Sequence, residues 1–129
     1  MQIKYASVMV GDQERAELFY TNVLGFRKVA DVPVGEYRWL TVTSPDGPEG
    51  VELLLEPMAF PPARDYQKAL FDAGIPAAAF VTDDIRGDFA RLKSAGVVFR
   101  GEPVDMGTVT AVAFEDTCGN LIQLVQAKA

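Results

Sequence analysis

Residues 3–26, IKYASVMVGDQERAELFYTNVLGF, decide how the fold is read. Ile3 to Val10 alternates and is rich in β-formers, which predicts a strand ending at Gly11-Asp12. Asp12 then stands where a helix N-cap belongs. From Gln13 to Val23 the residues Ala16, Phe19, Tyr20 and Val23 share one face at i, i+3, i+4 and i+7, and Gly25 follows as the C-cap.

Working outward, three strands are expected near Arg27–Val32, Tyr37–Ser44 and Val51–Glu56, with turns at Pro33-Val34-Gly35 and Pro45-Asp46-Gly47-Pro48. The order is βαβββ. The stretch 58–74 reads as a connector with a short helix near Asp65–Ala73, and Pro57–Arg64 as either a lid or a plain link. Beyond it the opening pattern returns. Pro76–Thr82 is strand-like, Asp83-Asp84 caps, and Ile85–Ala95 is an amphipathic helix built on Ile85, Phe89 and Leu92 before Gly96. Strands are then expected near Val97–Gly101, Thr108–Phe114 and Leu121–Gln126. A shift of 72 lays Asp12 on Asp84 and Tyr20 on Leu92, and a shift of 71 lays Val51-Glu52-Leu53 on Ile122-Gln123-Leu124. The expectation is an α+β fold of two tandem βαβββ modules, about 1–57 and 75–129, joined within a single domain 1–129. Their curved, partly closed sheet encloses a cleft.

The composition narrows function mostly by exclusion. At 129 residues and 49% hydrophobic, the chain can bury a core. A net charge of −6 and the absence of any basic cluster longer than Arg27-Lys28 argue against nucleic acid or an anionic membrane as a partner. No apolar stretch approaches the roughly 20 residues of a membrane span, and the N-terminus lacks a signal peptide, so a cytoplasmic location is expected. With no histidine and one cysteine, a His general base, a Ser/His couple and a thiolate zinc site are all unavailable within one chain. Cys118 has no basic neighbour in its turn to activate it as a nucleophile.

Several short motifs then carry a resemblance. Val8-Met9-Val10-Gly11-Asp12, Ala16-Glu17-Leu18-Phe19-Tyr20 and Val23-Leu24-Gly25-Phe26 are similar to the opening signature of the glyoxalase/bleomycin-resistance/dioxygenase (vicinal oxygen chelate) superfamily. The ending Phe114-Glu115-Asp116-Thr117-Cys118-Gly119-Asn120-Leu121 is similar to its "DPDGN" turn. The resemblance implies a cleft that, in metal-dependent members, holds a divalent ion with four His or Glu side chains. Those positions fall here on Tyr5, Ala77, Glu52 and Gln123, of which only Glu52 is a good ligand. No cofactor is therefore expected; were a divalent metal bound, Glu52 and Gln123 are the positions left for it, with Glu56 or Glu102 entering only in a shifted register. The resemblance further implies a homodimer.

The expected ligand-binding set is Tyr5, Ser7, Tyr37, Trp39, Glu52 and Gln123. Tyr5, Ser7 and Met9 share a strand face, as do Tyr37 and Trp39, and flat aromatics suit a planar ligand. Each has a plainer reading too: Tyr5 as a plug, Tyr37 and Trp39 as core, and Glu52 as a rim residue or a partner for Arg38 across the sheet. The first expectation for function is a protein that binds a small organic molecule without a tightly held metal, as the resemblance to drug-sequestering members implies. The alternatives are a divalent-metal lyase, isomerase or dioxygenase-like enzyme, and a regulatory or structural module.

Overall fold

The computed structural model describes residues 1–128. The chain divides into two compact units, Met1–Tyr66 and the part from Gln67 onward. In the first, β1 (Tyr5–Val10) leads into α1 (Gln13–Leu18), followed by β2 (Arg27–Val34), β3 (Tyr37–Thr43) and β4 (Glu52–Pro57). Helix α2 (Pro61–Asp72) spans the division. The second unit continues with β5 (Ala78–Val81), α3 (Ile85–Ser94), β6 (Val104–Asp105), β7 (Val109–Glu115) and β8 (Leu121–Ala127). The two sheets have matching orders, β1-β4-β3-β2 and β5-β8-β7-β6, with β1/β4 and β5/β8 parallel and the other pairs antiparallel. This is the α+β pair of βαβββ modules that the internal repeat predicts.

The caps form where the sequence places them. Asp12 Oδ1 accepts from Glu14 N and Arg15 N at 2.9 and 3.1 Å, and Asp84 Oδ1 accepts from Gly87 N at 3.0 Å. Gly25 and Gly96 both take positive φ, 85° and 94°, to end their helices. The first helix does not stay α to Val23, however. From Phe19 to Val23 it widens to a π turn, and Leu24 N bonds Phe19 O at 3.0 Å. Thr21 Oγ1 donates to Glu17 O at 2.6 Å and so competes for a carbonyl the α ladder would use.

Each unit packs its helix against one side of its sheet. In the first, Val8, Val10, Leu40, Val42 and Leu55 form the core with Ala16, Phe19 and Tyr20. Gln13 is buried there and fastens α1 to two strands. Its Nε2 donates to Arg38 O (2.7 Å) and Leu55 O (2.9 Å), while Oε1 accepts from Arg38 N (3.0 Å). In the second, Ile85, Leu92, Ile122 and Leu124 are buried, and Phe99 meets Phe89 and Phe114 edge-on with centroids 4.7 and 5.8 Å away.

Three local expectations are corrected. Pro33 lies inside β2 rather than in a turn; β2 is an edge strand, where a missing N–H is tolerated, and Gly35-Glu36 makes the hairpin turn with Gly35 at φ 60°. Val97–Gly101 forms only an isolated bridge, Phe99 with Phe114, because Gly101 at φ 93° and then Pro103 interrupt the strand until Val104. Helix α2 starts at Pro61 rather than near Asp65, its prolines standing in the first turn where no intrahelical N–H is needed.

Helix α2 also touches the turn between β7 and β8. Gln67 Nε2 donates to Cys118 O at 3.2 Å and to Asn120 Oδ1 at 3.1 Å. Beneath it the buried Asp116 carboxylate accepts from Cys118 N, Asn120 N and Asn120 Nδ2 at 2.8 to 3.0 Å. Gly119 takes φ 99°, and a Cβ there would lie 2.7 Å from Gln67 Oε1.

Candidate functional site

Strand alternation puts Tyr5, Ser7 and Met9 of β1, Trp39 and Thr41 of β3, and Glu52, Leu54 and Glu56 of β4 on the face of the first sheet turned away from α1. Tyr5 is directly paired with Glu52 across the parallel β1/β4 ladder. The Tyr5 and Trp39 rings meet edge to face with centroids 5.6 Å apart, and both stay open, 49% and 40% exposed. The Glu52 side chain is only 12% exposed. Its Oε1 accepts a 2.7 Å hydrogen bond from Thr41 Oγ1, and that hydroxyl accepts in turn from Ala30 N at 3.2 Å. Oε2 lies 3.9 Å from Lys4 Nζ.

Three of the six expected ligand residues thus come together as an aromatic pair beside an oriented carboxylate. Ser7 lies on the same face in register with Leu54. Tyr37 is elsewhere. It lines a depression of about 420 Å³ with Asp12, Glu14, Glu36, Met58 and Arg64, at the end of the first sheet. The neighbouring Glu36 charge pushes its phenol above the ordinary value. Gln123 belongs to the second unit, paired between Ala79 and Ala113, so its immediate neighbours on that sheet are methyl groups. Thr41 is the residue that sequence reasoning missed. Its only signal was its place two residues beyond Trp39 on the same strand face.

The suggestion that Glu52 pairs with Arg38 is corrected. Arg38 lies on the opposite face, bonded to Glu17 of α1 and, at 2.7 and 2.9 Å, to Asp31 of β2. Lys28 joins at 3.1 Å from Glu17 and 3.3 Å from Asp31. The Arg38 guanidinium holds the Asp31 carboxyl at about 2 and lowers that of Glu17.

Metal-dependent chemistry needs a donor set, and the residues here do not fit one. Among the described residues no three His, Cys, Asp or Glu side chains gather to hold a metal ion. At the positions the family would use stand a phenol (Tyr5), a methyl (Ala77) and an amide (Gln123), and one oxygen of Glu52 is already bonded by Thr41. Among the described residues no helix is long and apolar enough to cross a membrane.

Comparison with known proteins agrees with this architecture. Uncharacterized protein YurT of Bacillus subtilis (strain 168) is 52% identical over 126 residues, spanning 98% of this chain and 99% of its own. The crystal structure of UcmS2 superposes with a TM-score of 0.83 at 32% identity, covering 97% of each chain. TnmS3, an antibiotic binding protein from Streptomyces sp. CB03234, superposes with a TM-score of 0.79 at 31% identity, covering 99% of this chain and 97% of its own. Residues 2–124 match the family model of the Glyoxalase/Bleomycin resistance protein/Dioxygenase superfamily, and the chain belongs to that superfamily.

Proposed function

We propose that this protein binds a small, partly aromatic organic molecule on the Tyr5–Trp39 face of its first unit, with Glu52 as polar anchor and without a tightly held metal. The observation that carries the reading is the exposed edge-to-face pair of Tyr5 and Trp39 beside a carboxylate fixed by Thr41. Exposed aromatic rings in contact offer a large apolar area at low entropic cost, and a hydrogen-bonded carboxylate supplies orientation. The antibiotic-binding likeness of TnmS3 supports the same class of ligand, a small organic molecule.

Trp39 is the single tryptophan, so its fluorescence reports on the site directly. Titration with a panel of planar aromatic compounds is expected to give a saturable fluorescence change and a raised melting temperature. Tyr5→Ala should weaken both. A panel that moves neither signal would overturn the reading. Elemental analysis after incubation with Ni²⁺, Zn²⁺, Mn²⁺ and Fe²⁺ and desalting is expected to find no retained metal; stoichiometric metal would favour the lyase, isomerase or dioxygenase-like alternative.

A further inference from the structure

Lys4 holds a position that its sequence context did not advertise. Its ammonium lies 5.5 Å from the centroid of the Tyr5 ring and 3.9 Å from Glu52 Oε2. A cation of this chain thus already sits where a ring face and a carboxylate oxygen point together. The pairing is loose. The lysine side chain is 49% exposed, and 3.9 Å is beyond a hydrogen bond, whereas Glu52 is largely enclosed and its other oxygen is held by Thr41 at 2.7 Å. The carboxylate is therefore the fixed partner and the ammonium the replaceable one. Glu56 adds a second carboxylate to the same face in register with Met9, and the basic residue that alternation also assigns to this face, Arg27, lies on the outer strand opposite Thr43.

We propose that the Tyr5–Trp39–Glu52 corner selects aromatic molecules that carry a positive charge, and that Lys4 is an intramolecular stand-in which such a ligand displaces. This rests on the binding role proposed above and specifies its ligand class. Attraction between a cation and a ring face adds to the ion pair with Glu52, and both strengthen as the ligand excludes water. A neutral aromatic of the same shape gains neither and leaves Lys4 in place. The stand-in lowers apparent affinity for cations because part of the population has the seat already filled.

The test compares N-methylacridinium, a permanent cation, with acridine, its neutral counterpart at mildly alkaline pH, by calorimetric titration of the full chain. The wild type is expected to bind the cation about tenfold more tightly. Lys4→Met should tighten cation binding by about threefold and leave acridine binding unchanged. Glu52→Gln should abolish the preference while acridine still binds. Equal binding of both compounds by the wild type, or weaker cation binding by Lys4→Met, would overturn the charge selection and leave the aromatic site standing. If neither compound binds and no member of the aromatic panel changes Trp39 fluorescence, both this inference and the binding role fall together. Melting temperatures of the two variants, expected to match the wild type closely, separate these outcomes from misfolding.

Discussion

The two units share a topology and differ in what they place on the sheet face away from the helix. In the first unit that face carries Tyr5, Trp39, Thr41, Glu52 and Glu56; in the second the corresponding strands bring Ala79, Ala111 and Ala113 around Gln123, with Glu115 at the end of β7. The helix side behaves differently. Tyr20 and Leu92, equivalent by the repeat, are both buried under their helices, and Asp12 and Asp84 both cap. Folding constrains the helix side of both copies, because each must bury an apolar stripe. The other face is left to diverge, and in the first copy it carries an exposed aromatic pair beside a carboxylate, whereas in the second its carboxylate, Glu115, is paired with Arg100 at 3.1 Å.

By that division the two copies should fail alike when the helix side is cut. Tyr20→Ala is expected to cost about 3–5 kcal/mol and Leu92→Ala about 2–5 kcal/mol, read by urea unfolding. A near-neutral result at either site would mean that its helix is not needed to complete its sheet. Gln13→Leu comes next. It leaves Arg38 N, Arg38 O and Leu55 O without their present partner, at a cost of about 2–3 kcal/mol. In the second unit the helix is fastened by another amide: Gln126 Oε1 accepts from Ile85 N and Nε2 donates to Asp83 O, both at 2.8 Å. Gln126→Leu should cost less, because one of its two bonds is solvent-exposed.

On the open faces the contrast should appear in binding rather than in stability. Thr41→Val keeps the shape but removes the hydroxyl that holds Glu52, and should weaken aromatic-cation binding by about fivefold in titrations. Gln123→Ala should leave that affinity unchanged. Equal losses would make the second unit a full partner in recognition.

The smallest effect concerns acid. Asp31 is held at about 2 against its ordinary 3.8, and Glu17 is also lowered, so both contribute stability that is complete above the ordinary carboxylate range and lost as pH falls through their lowered values. Asp31→Asn should flatten the decline in melting temperature between about pH 4 and pH 2 relative to the wild type. An unchanged acid limb would show that the network with Arg38 and Lys28 does not couple to folding.

Much of the fold was legible because its signals are local. Caps, C-cap glycines and helical spacing occur within one turn of the residues they control, and they recur in both copies. Val97–Gly101 misled for a physical reason: an apolar run is equally suited to a strand and to a segment whose Phe99 packs between Phe89 and Phe114, and the left-handed conformation at Gly101 decided the matter. The site was legible only in part. Alternation grouped Tyr5 with Ser7 and Met9 and, separately, Tyr37 with Trp39, and the family resemblance set Tyr5 and Glu52 at cleft positions; that these groups share a face with Thr41 depends on register between strands, which is not encoded locally. Arg38 shows the same limit: its parity set it on the face opposite Trp39, but only the β3/β4 register makes that the face opposite Glu52.

The contact between Gln67 and the β7–β8 turn has an evolutionary corollary. A methyl group at position 119 would lie 2.7 Å from Gln67 Oε1, and the backbone there is left-handed at φ 99°. The atom met is the far end of a flexible side chain, so Gln67 can turn aside, and doing so gives up the bonds to Cys118 O and Asn120 Oδ1. Positions 67 and 119 are therefore coupled: a side chain at 119 costs the Gln67 bonds as well as the left-handed strain, and once residue 67 has lost those bonds only the strain remains.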